Sequence, residues 1–198
     1  MKKTLFLLCC TIIFVFYSCG TINGYEYIDL DLPSGTKWAT CNVGANAPEE
    51  YGEYYAWGET NTKYTYISGN SKTYYDDLSD ISGIPYHDVA RAKWGDSWRI
   101  PTKEEMNELR YYCDWTWTNQ NGINGYKITG KNGNSIFLPA AGICTNTFCS
   151  FSGGGGFYWT ATPKGLADAY SLNFHHKEHN LSSVYSRYNG LCIRPVSD

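Results

Sequence analysis

AYSLNFHHKEHNLSSVYSRY, residues 169–188, holds three of the four histidines in the chain. Its centre, FHHKEHN at 174–180, puts His175, Glu178 and His179 in the spacing HxxEH, the inverted form of a zinc-peptidase motif. That motif works on a helix, where positions four residues apart share a face. The flanks AYSLNF and LSSVYSRY instead alternate apolar and polar residues, the period of a half-buried strand. The histidines therefore fall in the connection of a β-hairpin, where a solvent-exposed polar turn is expected and no catalytic metal.

The same texture extends over the chain beyond residue 114. WTWT, YKIT, SIFLPAAG, FYWTAT and LCIRPV are short apolar or alternating runs separated by Asn121-Gly122, Asn124-Gly125, Asn132-Gly133 and Asn189-Gly190. These dipeptides tolerate the positive φ that tight turns require, so a meander of antiparallel strands is expected. The glycine run at 153–156 is not a phosphate cradle, because FYWTAT follows it as a strand where a cradle needs a helix amino terminus.

Towards the amino terminus the pattern is more varied. YEYIDLDL at 25–32 sets Ile28, Leu30 and Leu32 on one face and predicts a half-buried strand. Further short strands are expected at 37–41 and 54–57, and a long loop at 60–82, where Tyr, Ser, Thr, Asn and Asp show no period. One helix is strongly signalled: Pro101 precedes Thr102, Glu105 completes a capping box, and Met106, Leu109 and Cys113 recur at helical spacing. A shorter helix is expected at 87–94. The fold class is thus α+β, mostly short antiparallel strands and hairpins with one or two helices.

A chain of 198 residues, 42% hydrophobic and 17% aromatic, is enough for one domain with its own core. Its net charge of -3 gives none of the basic footprint of a nucleic-acid binder. The start, MKKTLFLLCCTIIFVFYSCG, has two lysines, a short apolar run at 5–17 and a cysteine at 19, the pattern of a bacterial lipoprotein signal. Cys19 is the expected lipidated residue; an ordinary signal peptide or an uncleaved anchor are the alternatives. The expected organisation is a signal at 1–18, a lipidated linker at 19–24 and one domain at 25–198. Setting aside Cys9, Cys10 and Cys19 leaves Cys41, Cys113, Cys144, Cys149 and Cys192, an odd number in which Cys144 with Cys149 is one possible disulfide and small buried hydrophobes are the other option.

Several stretches taken together carry a resemblance: DLPSGTKWATCNVGA at 31–45, EEYGEYYAWGET at 49–60, ARAKWGDSWRIPTKEEMNEL at 90–109, DWTWTNQNGINGYKITGKNGNSIFLPAAG at 114–142, YWTAT at 158–162 and NGLCIRPV at 189–196. They resemble the Fibrobacter succinogenes major paralogous domain family. That resemblance implies the C-type lectin-like fold, in the branch shared with formylglycine-generating enzymes, and an exported lipoprotein of the gut-bacterial outer membrane, on the cell surface or facing the periplasm. Trp94 and Trp98, and Trp115, Trp117, Tyr158 and Trp159, are expected to pack core or sheet, and Arg99 and Arg194 to tie loops by hydrogen bonds.

Two functional classes compete, with a structural or assembly subunit as a third. The first is a non-catalytic recognition domain, held on the membrane by its lipid and binding a glycan or protein. Its candidate contacts are Asn173, His175, His176 and His179 at the hairpin and Tyr185, Arg187 and Asn189 beyond it, against a merely solvated face as the alternative. The EPN or QPD triplet and WND partner of a calcium-dependent sugar site are missing from the sequence, so no cofactor is expected. The second class is a copper oxidase like the formylglycine-generating enzymes, with Cys144 and Cys149 as thiolates. That pair lies well upstream of the closing GLCIRPV segment, whereas the enzymes' pair lies close to it.

Overall fold

The computed structural model describes residues 19–95 and 97–198, with the backbone alone at 180–182; the expected leader at 1–18 and Asp96 of the turn before Trp98 lie outside the described residues. The first sheet joins both ends of the described chain. β1 (Cys19–Ile22) and β2 (Tyr25–Asp29) form a hairpin, β3 (Lys37–Ala39) pairs with β2, and β12 (Val196–Ser197) closes the outer side of β3. Residues 19–22, expected within a linker, are thus an edge strand that begins at the exposed Cys19. The physical reason is local: Asn23 and Gly24 both take positive φ, 48° and 82°, the requirement of a two-residue hairpin turn.

Two helices follow the long irregular segment, which contains a single 3₁₀ turn at Ser68–Asn70. α1 (Val89–Trp94) is capped by Asp88, whose carboxylate accepts from the amides of Gly83, Arg91 and Ile100 at 2.7, 3.0 and 2.8 Å. α2 (Lys103–Tyr112) carries the expected reciprocal box between Thr102 and Glu105. Glu105 also receives Arg99 at 2.6 and 2.8 Å, which joins the start of the helix to the closing sheet.

The remaining strands form three small antiparallel sheets. β4 (Asp114–Gln120), β5 (Ile123–Thr129) and β6 (Ser135–Pro139) make one; β7 (Ile143–Thr145) and β8 (Phe148–Ser150) a second; β9 (Gly155–Lys164), β10 (Asp168–His175) and β11 (Glu178–Ser186) the third. The glycine run opens β9 because a Cβ at Gly156 would stand 2.2 Å from the ring of Phe174 on the neighbouring strand. The architecture is α+β.

Two expected strands shrink. Residues 54–57 contribute one bridge, Tyr55 to Leu191, because Gly52 and Gly58 turn the chain on either side at φ 73° and 72°. The closing segment 191–196 is buried but irregular, with Leu191, Cys192 and Val196 bridging Tyr55, Tyr158 and Arg99 in turn. One core packs α2 and β4–β6 against β2, β10 and Leu30; a second packs α1 against Trp57, Trp98 and Trp159. Arg194, completely buried, donates to Asn42 Oδ1 and to the carbonyls of Ala39, Thr40 and Phe137 at 2.8–3.0 Å, stitching the first sheet to β6.

Candidate functional site

β10 ends at His175 and β11 begins at Glu178, so His176 and Lys177 form the turn of a hairpin. In its register His175 pairs with Glu178 and Phe174 with His179. Neighbouring pairs in a ladder project to opposite faces, so His175 and His179 stand on opposite sides of the sheet. The HxxEH spacing therefore cannot gather its two histidines around one ion. His175 Nε2 lies 3.7 Å from Glu178 Oε2, with both side chains well exposed, an arrangement that contributes little to stability.

On one face, His179 stacks on Trp115 at 4.4 Å between ring centroids and 5° between planes, and His176 meets Trp117 edge-on at 5.6 Å. Tyr126 and Phe174 pack behind the two tryptophans. Burial in this stack, and secondarily the positive charge of Arg110, lower the pKa of His179. Two of the expected contact histidines thus lean on the aromatic layer over β4 and β5.

The other face of the same sheet forms the wall of a cleft of about 420 Å³, whose opposite wall is the β7–β8 hairpin. Phe157 of β9, Asn173 of β10 and Tyr185 of β11 share this wall. Asn173 Nδ2 donates to the Tyr185 hydroxyl at 3.2 Å, and the Tyr185 ring stands edge-on to Phe157 at 5.5 Å and 89°. His175 and Asn189 complete that side. Four of the expected contacts, Asn173, His175, Tyr185 and Asn189, therefore meet in one concavity, which is within the size range of a small-molecule site.

The facing wall contains three residues that no sequence motif singled out: Thr145, Ser150 and Phe151. Cys144 and Cys149 are directly opposite one another across β7 and β8 and joined by a disulfide, which clamps this wall. In that state both sulfurs are spent in one bond, and the pair offers copper no thiolate. Phe151 is unusual. It holds φ at 63°, a left-handed conformation costly for a bulky residue, while 66% of its surface is exposed. Its carbonyl accepts the amides of Gly154 and Gly155, both at 2.9 Å, and this turn holds the ring beside Phe157 at 6.0 Å. A serine-flanked phenylalanine just before a glycine run is the sequence trace of that turn.

Arg187 corrects the sequence expectation. Its side chain is fully buried, and its guanidinium donates to the carbonyls of Asp168, Thr73, Asp76 and Gly165 at 2.8–3.2 Å while lying 4.2 Å over the Trp57 ring. A group so fully engaged with the backbone is a clamp on the long loop, not a ligand contact. The cause is topological: β11 ends at Ser186, so alternation along the strand no longer sets where Arg187 points.

The cleft brings together aromatic rings, amides and hydroxyls, and among the described residues its lining holds no Asp, Glu, Lys or Arg. Among the described residues no cluster of three or more His, Cys, Asp or Glu is arranged to hold a metal ion. Such an arrangement suits non-covalent recognition by shape, stacking and neutral hydrogen bonds. No protein-family model, no curated protein and no solved structure matches the chain.

Proposed function

We propose that the protein is a lipid-anchored recognition module of the bacterial outer membrane, with a C-type lectin-like fold, that binds a glycan or a protein without catalysis. Small antiparallel sheets carrying long irregular connections, with two short helices, support the lectin-like assignment. The motif set from 31–45 to 189–196 supports membership of the Fibrobacter succinogenes paralogous family. The lysines, short apolar run and cysteine at the amino terminus support attachment of lipid to Cys19, on the cell surface or the periplasmic face. The observation that carries the recognition function is the cleft: Asn173, His175, Tyr185 and Asn189 converge there with an exposed phenylalanine held at positive φ.

The test uses the full chain extracted in detergent. Intact mass should show an acylated amino terminus at Cys19. Binding to intact gut epithelial cells, bacterial cells and a broad glycan array should be saturable, weakened by Asn173→Ala and Tyr185→Ala, and indifferent to His176→Ala. Wild-type binding by both cleft variants would move the recognition surface elsewhere, and no binding by the folded protein would leave a structural role in a surface assembly. A reduced protein that bound copper(I) tightly and oxidised a cysteine peptide would instead make it an enzyme.

A further inference from the structure

We infer that the cleft between β7–β8 and β9–β11 takes an uncharged saccharide, with a pyranose ring stacked against Phe151 and its hydroxyls read by neutral side chains. The inference rests on the recognition function proposed above and assigns the chemistry of its ligand.

Three observations lead there. The first is charge. Among the described residues the lining includes His175 at the exposed rim but no carboxylate, ammonium or guanidinium; Arg187 is spent on four carbonyls, and the Glu178 side chain beside His175 is well exposed to solvent. An anionic ligand would enter without a counter-charge and a cationic one without a carboxylate, each leaving a desolvated ion uncompensated.

The second is the balance of surfaces. Phe151, Phe157 and Tyr185 present ring faces and edges, and the exposed Phe151 is the platform among them. The polar groups have capacity for a ligand: among the described residues the side chains of Thr145, Ser150 and Asn189 have no hydrogen-bond partner, and the Tyr185 hydroxyl accepts from Asn173 and donates to none of them. A pyranose has this same division, with C–H groups across its face and hydroxyls around its edge that both donate and accept. A purely apolar ligand would bury those unspent amides and hydroxyls without partners.

The third is backbone conformation. An aromatic residue at positive φ is strained, and glycine would fit that turn better, as it does at Gly153 two residues on, where φ is 78°. Tyr75 is likewise an exposed ring at positive φ, but only Phe151 of the two lines the cleft, and there the strained ring is placed for contact.

The experiment measures binding of the full chain in detergent to neutral oligosaccharides (cello-, xylo-, manno- and N-acetylglucosamine oligomers and malto-oligosaccharides), beside sialylated and uronate oligosaccharides. The variants are Phe151→Gly, Tyr185→Phe and Asn189→Asp, with Tyr86→Ala as an exposed aromatic outside the cleft. The expected result is saturable binding of a neutral oligomer that barely changes with salt, loses roughly tenfold or more on Phe151→Gly and on Asn189→Asp, weakens on Tyr185→Phe, and stays unchanged on Tyr86→Ala. Phe151→Gly keeps a conformation that glycine favours, so loss of affinity at undiminished thermal stability separates contact from misfolding. Binding confined to anionic sugars, or to a cell-surface protein, and abolished by the same variants would overturn the saccharide assignment while keeping the cleft as recognition site. Neutral-sugar binding that survives all three cleft variants would overturn the assignment of the cleft, as would a folded protein that binds none of the oligosaccharides.

Discussion

Arg187→Met keeps most of the stem and removes the guanidinium, so it tests whether this arginine is a clamp. In the folded protein the group donates four hydrogen bonds to the carbonyls of residues 73, 76, 165 and 168. Charge-assisted bonds of this kind contribute about 1.5–3 kcal/mol each before the cost of burying the ion, and that cost is real here because burial pulls the Arg187 pKa down. Thr73 is buried, so its carbonyl loses its partner outright at about 1–3 kcal/mol, whereas Asp76 and Gly165 are exposed enough for water to replace the arginine. Losing the cation–π contact with Trp57 adds about 1–2 kcal/mol. The net is roughly 3–5 kcal/mol, which at about 2–4 °C per kcal/mol for a domain of this size predicts a fall in Tm of roughly 6–20 °C. Arg187→Lys, which reaches fewer carbonyls, should fall in between. Thermal unfolding followed by near-ultraviolet circular dichroism measures both. A Met variant within about 3 °C of wild type, or one that keeps its Tm and loses ligand binding, would refute the clamp and return Arg187 to the recognition surface.

At position 151 the usual order of helix- and strand-formers should invert: Phe151→Gly should be more stable than Phe151→Ala by about 0.5–1 kcal/mol, because alanine bears a left-handed penalty of about 1–2 kcal/mol that exceeds the extra chain entropy of glycine; urea midpoints of the two variants give the comparison. His179 has a folded pKa below its ordinary value, so its contribution is complete above the unfolded pKa near 6.5 and is lost as pH falls through the folded value. Unfolding titrations should therefore show stability dropping below about pH 6.5, more steeply in wild type than in His179→Phe, with Arg110 opposing protonation in the stack against Trp115 and Tyr126. Replacing both Cys144 and Cys149 by Ala opens a cross-link between residues five apart and should cost about 2 kcal/mol by loop entropy. The same loss should appear in wild type on reduction, with looser ligand binding wherever the β7–β8 wall takes part.

Signals that act within a few residues were legible in the chain. Thr102 and Glu105 place the start of α2 because a capping box is satisfied inside one turn, and the alternation on either side of FHHKEHN makes a hairpin whatever surrounds it. Asn23-Gly24 is as local, and it makes residues 19–22 a strand where a linker was expected. The two faces of that hairpin are a different matter. A period of two separates His175 from His179, but only packing against Trp115 and Trp117 on one side and β7–β8 on the other turns one face into core and the other into a cleft. Residues 191–196 carry no period of their own because Leu191, Cys192 and Val196 bridge three different neighbours, and Arg187 points inward because the carbonyls of a distant loop are there to receive it. Phe151 shows the limit most plainly: its sequence neighbours announce the turn that sets its positive φ, while its place in one cleft with Asn173 and Asn189 comes from chain segments more than twenty residues away closing on it. Short-range hydrogen bonds and periodicity determine elements; which side chains share a cavity depends on register and on burial between elements, and those are properties of the assembled fold.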